Sequence, residues 1–201
     1  MIVATVGGAT VPVEEVDARE ARLRNGPHAA ALPAAGTSEG RQLRRWLTQL
    51  IVTERVIAAE AEARGLSPQA APTEAELLPD VTARLEIGSV AAAALADPLA
   101  RALFAHITAG VDVTDAEVAD YHARNPLRFT AAGASSAGWR SPVVAAPLER
   151  VRSTIAEHLR AAACRRFFRV WLDARRAELV RLAPGYEHPG DPRQPDNTHR
   201  H

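Results

Sequence analysis

The chain has 201 residues and a formal net charge of zero, so it holds one domain, or one domain with an appendage. Acidic and basic residues balance at 24 each, and every basic one is arginine, which argues against nucleic acid or an anionic membrane as the main partner. The lack of lysine rules out a Schiff-base lysine, a phosphate-loop lysine and a Ser-Lys dyad, and a single cysteine, Cys164, rules out an internal disulfide and a cysteine-rich zinc site.

Ile2 to Val6 and Ala9 to Val11 are short β-favouring runs split by Gly7-Gly8, the signature of a two-residue hairpin. Pro12 suits the first turn of a helix, with Glu14, Glu15 and Asp17 at its positive end. That helix carries Val13, Val16 and Leu23 to a stop at Asn25-Gly26, and a loop rich in proline, glycine and alanine runs to Gly36. Thr37 or Ser38 caps a long helix ending at Gly65, with Leu43, Trp46, Leu47, Leu50, Ile51, Ile57, Ala58 and Ala61 as its stripe. Thr73 with Glu76 reads as a capping box opening a short helix that breaks near Gly88. Ser89 to Ala109 is a further helical run, interrupted at Pro98, with Leu95, Leu99, Leu103 and Phe104 facing inward. Thr114 caps a helix over Asp115 to Arg124, stopped by Asn125-Pro126.

Thr130 to Ala146 reads as a linker. Beyond it the spacing predicts the longest helix, from Pro147 towards Leu182, with Leu148, Val151, Ile155, Leu159, Ala163, Phe167, Val170, Trp171 and Ala174 along one stripe. A helix of that length needs a partner, and the only other pattern of similar length is Thr37 to Leu66. The two chain ends are therefore expected to pack on each other, with a strand at Leu179 to Leu182 pairing with the N-terminal hairpin. The tail from Ala183 to His201 has four prolines and almost no aliphatics, and reads first as a docked strap or partner-binding tail and second as a disordered segment.

His122 lies near Asp115, Glu117 and Asp120, but Asp120 and His122 are two apart and do not share a helix face, so a solvated surface is the better reading. His199 and His201, with His188 or Asp191, offer imidazole donors without a rigid scaffold, and no metal site or other cofactor is expected. Arg165 to Arg169, with Phe167-Phe168 between arginines, reads as core and solvated faces of one helix and not as a nucleic-acid stacking surface. The opening MIVATVGG has no basic n-region, and no stretch approaches the length of a membrane span, so the cytoplasm is the expected compartment.

The order of these pieces resembles the SurA/PrsA/trigger-factor-type peptide-binding chaperone domain. VATVGGATVPVEEV at Val3 to Val16, the stretch Leu47 to Leu66 with its Gly65-Leu66 stop, and VTDAEVADYHARNPLRF at Val113 to Phe129 carry the resemblance. Foldases of that family place a parvulin-type prolyl isomerase domain between the last of these segments and the closing helix. Here only Thr130 to Ala146 fills that place, too short for a catalytic domain to fold. A second, looser resemblance is to small stand-alone proteins labelled malonyl-CoA–acyl-carrier-protein transacylases that accompany polyketide synthesis. The nearest string to a nucleophile elbow, Gly133 to Gly138, has the wrong spacing for that chemistry.

The expected fold is mainly α, with a small N-terminal β-hairpin and a long C-terminal helix: a helical body over residues 1 to 182, built from both chain ends and similar to the SurA N-terminal and trigger-factor C-terminal domains. The resemblance implies a chaperone-like binder without isomerase catalysis. Its client surface is expected to include Trp46, Leu50, Phe104, Tyr121, Phe129, Phe167 and Trp171. The alternative is an accessory protein or small enzyme of a polyketide or fatty-acid-type pathway, holding an acyl chain or a partner enzyme, with His122, Tyr121 or Arg140 as convergent polar groups. Expected partners are a client protein or a dedicated biosynthetic enzyme, neither nucleic acid nor membrane, with a homodimer possible.

Overall fold

A computed structural model describes residues 1–128 and 146–187. Strands β1 (Ile2–Val6) and β2 (Ala9–Pro12) form the N-terminal hairpin, with Ala4 opposite Val11 and Val6 opposite Ala9. Gly7 and Gly8, at φ +56° and +89°, supply the two positive φ angles that a tight hairpin turn of this hand requires. A third strand, β3 (Val180–Leu182), pairs antiparallel with β1, so the sheet runs in the order β2-β1-β3. The start of the chain thus lies at the centre of a sheet closed by residues some 180 positions later. Such pairing fixes a long loop for few hydrogen bonds and relies on packing elsewhere.

That packing comes from the helices. Helix α1 (Val13–Arg24) starts directly after Pro12 and ends at Asn25; α2 (Ser38–Ala63) follows a loop containing a 3-10 turn at Ala29–Ala31. Thr37 caps α2 by accepting from the Gly40 N–H at 3.0 Å and donates its hydroxyl to the Ala34 carbonyl at 2.8 Å. Gly40 is required here, because a Cβ would sit 2.4 Å from that same carbonyl. Helix α2 packs against α1, β1 and the short helix α5 (Ser89–Ala94). Leu47, Leu50, Ile51, Ile57 and Ala61 of the expected stripe are buried, Val52 and Val56 join them, and Ala58 is exposed.

Between these helices the chain makes more turns than the sequence pattern suggests. The stretch read as one helix from Thr73 is two: α3 (Glu74–Leu77), opened by the predicted Thr73–Glu76 capping box, and α4 (Val81–Ile87), capped by Asp80 on the Ala83 N–H at 2.8 Å. Gly88 separates α4 from α5 at φ +89° and ψ 150°, a conformation open essentially to glycine alone. Helix α6 (Pro98–Thr108) follows, with Asp97 accepting from the Leu99 N–H at 2.7 Å.

Helix α7 (Asp115–Arg124) carries the expected Thr114 cap, completed by Glu117 as a capping box, and α8 (Leu148–Leu179) is the predicted long helix, ending three residues earlier than read because β3 begins. The chain divides into two compact units, Met1–Ile107 with the chain from Phe168 onward, and Thr108–Phe167. In the first unit the core joins Val3, Val11, Val16, Leu47, Val56, Leu95, Leu103, Phe168 and Leu172. In the second, Val118 of α7 and Ile155 and Ala162 of α8 are buried. There Arg152 pairs with Asp115 at 2.8 Å, and the Arg160 Nε–H donates to the Val111 carbonyl at 3.0 Å. Among the described residues no helix is long and apolar enough to cross a membrane.

The stripe on α8 differs from the expected one. Ile155 is buried as read, but Phe167 is 50% exposed, Val170 66% exposed, and Ala174 is exposed as well; Phe168 and Leu172 are the buried pair. Successive helical residues point about 100° apart, so the apolar neighbours Phe167-Phe168 and Trp171-Leu172 offer two rows, and periodicity cannot choose between them. The aromatic partner chooses: the Phe168 ring lies 4.9 Å from Phe104 and 5.6 Å from Trp171, centre to centre.

Candidate functional site

The residues expected to line a client surface meet different fates. Leu50 and Phe104 are core side chains, 5% and 4% exposed, and hold the first unit together instead of facing a groove. Both sit where their helices meet a neighbour, and an apolar stripe read from sequence includes core and surface positions alike. Trp46 is half-buried, its indole N–H donating to the Ser89 hydroxyl at 3.2 Å. Trp171 is half-buried beneath the Arg64 guanidinium, which lies 5.7 Å from its ring centre. Tyr121 belongs to the second unit, where its hydroxyl lies 3.3 Å from His158 Nε2. Phe167 is the large exposed apolar side chain of the set, and Phe129 lies outside the described residues.

Phe167 does not stand alone. Val170 is three residues further along α8 and therefore on the same face, where the pair forms an exposed apolar row with Arg166 and Arg169 along one side. A second exposed pair, Val81 at 70% and Leu85 at 74%, occupies one face of α4 at a four-residue spacing. Single exposed apolar residues are ordinary, but paired ones at helical spacing make small contact faces.

The polar groups that sequence reasoning passed over lie on α2. Arg45, Gln49 and Thr53, four residues apart, are buried beside the apolar stripe, with Glu60 further along. Thr53 donates its hydroxyl to the Gln49 carbonyl at 2.7 Å, and Arg45 and Gln49 hold residues 183–187. The Arg45 Nε–H donates to the Gly185 carbonyl at 3.2 Å, and the Gln49 amide donates to the Tyr186 carbonyl at 3.0 Å, so residues 183–187 run as a strap along α2. The Ala183 N–H adds a bond to the Val3 carbonyl at 2.9 Å. Their i, i+4, i+8 spacing was readable; what was not readable is that Gly185 and Tyr186 would supply partners for Arg45 and Gln49. The histidines at 188, 199 and 201, Asp191 and Arg140 lie outside the described residues.

Two glutamates organise arginines around the same helices. Glu20 accepts from Arg24 at 2.8 Å and Arg44 at 2.6 Å; Glu60 accepts from Arg64 at 2.5 Å and Arg175 at 2.6 Å. Burial alone pushes each carboxyl up, but the paired guanidinium groups outweigh it and leave both below the usual glutamate range. Arg176 is the contrast. Burial lowers its guanidinium pKa, with the nearby Asp173 charge acting the other way. Arg176 donates to the neutral Gln49 amide oxygen, while its Nε has no hydrogen-bond partner.

The two described cavities are small. One, of about 130 Å³, is lined by Ile87 to Ala91 on one side and by Arg169, Leu172, Asp173 and Arg176 on the other. The second, of about 250 Å³, lies between Arg41, Arg44 and Arg45 and the strap residues Gly185 and Tyr186. In the second unit His122 Nε2 lies 2.9 Å from the Ala146 carbonyl, which ties the approach to α8 back to α7. The Cys164 thiol lies 4.0 Å from the Thr108 carbonyl, and the residue is partly buried. Among the described residues no three His, Cys, Asp or Glu side chains come together as metal ligands.

Residues 2–39, which span the hairpin, α1 and the loop up to the start of α2, match the model of a family of unknown function (DUF7158). No curated protein and no solved structure matches the chain.

Proposed function

We propose that the protein is a non-catalytic, chaperone-like binder that holds exposed apolar segments of a client polypeptide in the cytoplasm. The observation that carries this reading is the exposed Phe167–Val170 row on α8, large apolar side chains left in solvent on a long helix. Burying such a side chain fully is worth about 1.5–3 kcal/mol, and these two have only part of their surface left to bury. A few contacts of that size give weak, reversible binding, which release of a client requires. The flanking Arg166 and Arg169 keep the row soluble and favour client segments that carry acidic neighbours.

The rival, an acyl-chain holder of a biosynthetic pathway, has less behind it. Pockets for small ligands generally enclose about 300–1,000 Å³ and are mostly apolar. Both described cavities fall below that and carry arginines in their walls. A dedicated partner enzyme is the form of that alternative compatible with a surface row, and a second copy of the chain is another occupant it accommodates.

The test is light scattering of a chemically unfolded reporter enzyme diluted into buffer, with increasing amounts of the protein. The wild type is expected to slow aggregation in proportion to its concentration, and the Phe167→Gln/Val170→Gln variant to lose that effect while staying folded. Equal protection by both proteins, or none by the wild type, sinks the reading. Co-purification of one stoichiometric enzyme in its place assigns the row to a dedicated partner.

A further inference from the structure

We propose that the cleft between the α4–α5 turn and the C-terminal part of α8 is a binding site for a carboxylate. Arg169, Asp173 and Arg176 are spaced i, i+4 and i+7 on α8 and so share the face that forms one wall. Two guanidinium groups against one carboxylate leave that wall with a net charge of +1, matched to a monoanion. The opposite wall is the Gly88 turn with Ser89. The Ser89 oxygen already accepts from the Trp46 indole, which leaves its O–H to donate to a ligand. The proposal does not depend on the client-binding reading.

Arginines of this unit find acceptors in two ways: Arg19, Arg24, Arg44, Arg55, Arg64 and Arg175 each meet a carboxylate directly, whereas Arg101 donates to the Pro72, Leu95 and Ala96 carbonyls. Arg176 is more deeply desolvated, yet it bonds only to the neutral Gln49 side chain, and its Nε–H has no acceptor. A guanidinium presents its donors as a planar fork that a carboxylate fills with two parallel bonds; Arg176 lines the cleft with one Nη group held by Gln49 and its buried Nε–H unmet. Arg169 donates to the Glu86 carbonyl at 3.2 Å and keeps further N–H groups for a second contact. The cavity of about 130 Å³ admits roughly four groups the size of water, enough for a carboxylate and the carbon that bears it but not for a bulky ligand. Such a group comes either from a small free acid or from a polypeptide, as its C-terminus or an acidic side chain.

The probe is sodium acetate, with sodium chloride at matched ionic strength and acetamide as the uncharged analogue; the readout is the unfolding temperature of the full chain. Acetate is expected to raise the unfolding temperature progressively, as a ligand of the folded state must, and the two controls to leave it unchanged. Arg176→Gln is expected to fold and to lose the response, and Arg169→Gln to weaken acetate binding by about tenfold. A wild type that responds equally to acetate and chloride overturns the proposal. So does an acetate response that survives in both variants. If Arg176→Gln does not fold, the exposed Arg169→Gln decides alone, and an unaltered response there overturns it. A short peptide with a free C-terminus that binds more tightly than both acetate and its own amidated form assigns the site to a polypeptide carboxylate. Acetate binding at least as tightly as the peptide assigns it to a small acid.

Discussion

Helix α8 carries two apolar rows one residue apart, and they do opposite things. Phe168 and Leu172 are sealed into the first unit, where Phe104 and Trp171 frame the Phe168 ring. Phe167 and Val170 keep half or more of their surface in solvent. The residue types are nearly the same, so what separates core from surface here is the neighbour and not the side chain. Phe168→Ala removes a ring that is 0% exposed and leaves a cavity beside Phe104, so unfolding in denaturant should come earlier by about 3–5 kcal/mol. A loss below about 1 kcal/mol would mean that the core closes over the gap and that the two rows are less distinct than they look.

That helical ambiguity also explains what could be read from the sequence. The hairpin was legible because Gly7-Gly8 between two β-branched runs names its turn type, and the caps at Thr37, Thr73 and Thr114 because each places an oxygen where the first helical N–H groups need one. The strand expected at Leu179 to Leu182 lies on β1 as Val180–Leu182. The two long amphipathic patterns, expected to pack on each other, meet through side chains such as Arg175 with Glu60 and Arg176 with Gln49, whereas α2 packs its backbone against α1, α5 and β1. The row on α8 was not legible, since two adjacent apolar residues fit the same period with different phase. Nor was the membership of the expected client surface: Leu50 and Phe104 look identical in sequence to surface contacts and prove to be core. The buried polar pair Arg45 and Gln49 was hidden for a different reason, because both donate to backbone carbonyls of the strap, whose amino-acid identity is irrelevant to the bond.

The covered side of the comparison also contains charge, and Glu60 tests whether that charge stabilises it. Its side chain is 6% exposed and lies between Arg64 and Arg175, each about a third exposed. Glu60→Gln keeps the shape and removes the charge, and should cost about 1–2 kcal/mol, discounted from a fully buried pair because both guanidinium groups reach solvent. The pH dependence has a defined sign. Glu20 and Glu60 titrate lower in the folded chain than in the unfolded one, so the stability they contribute is complete above the ordinary glutamate value of about 4.3. It is lost as pH falls from there through the lower folded values. Thermal unfolding between neutral pH and that acid range should therefore show a smaller acid loss in Glu60→Gln than in the wild type; identical curves would remove Glu60 from the account.

Gly40 examines the covered side from the other direction, by adding atoms. A Cβ there would stand 2.4 Å from the Ala34 carbonyl oxygen and 3.3 Å from Thr37 Oγ1, in the loop that brings α2 to its cap. Alanine is the better helix former by roughly 1 kcal/mol, so a simple propensity argument predicts stabilisation. Overlap with a backbone atom cannot be relieved by a rotamer change, and overpacking of this kind costs about 1–3 kcal/mol. The net expectation for Gly40→Ala is a loss of about 1 kcal/mol in chemical denaturation. A gain would show that the loop before α2 yields freely and that Thr37 caps a movable end.

The smallest effect is the one that separates the rows most sharply. Phe167→Gln with Val170→Gln removes both exposed apolar side chains. Phe167 is half-exposed, so its remaining contacts are worth about 1 kcal/mol, half of what full burial of such a ring provides. Val170 is 66% exposed, and replacing a β-branched residue by glutamine in a helix returns a few tenths of a kcal/mol. The double variant should therefore lose only about 0.5 kcal/mol, several-fold less than Phe168→Ala alone. Denaturant midpoints of the two proteins, measured side by side, check this directly. If the double variant unfolds as early as Phe168→Ala, the row is part of the core in solution and has nothing to offer a client. If it loses no more than that, residues that add little to the fold still place two large apolar groups in water, and that is what a binding surface looks like before its partner arrives.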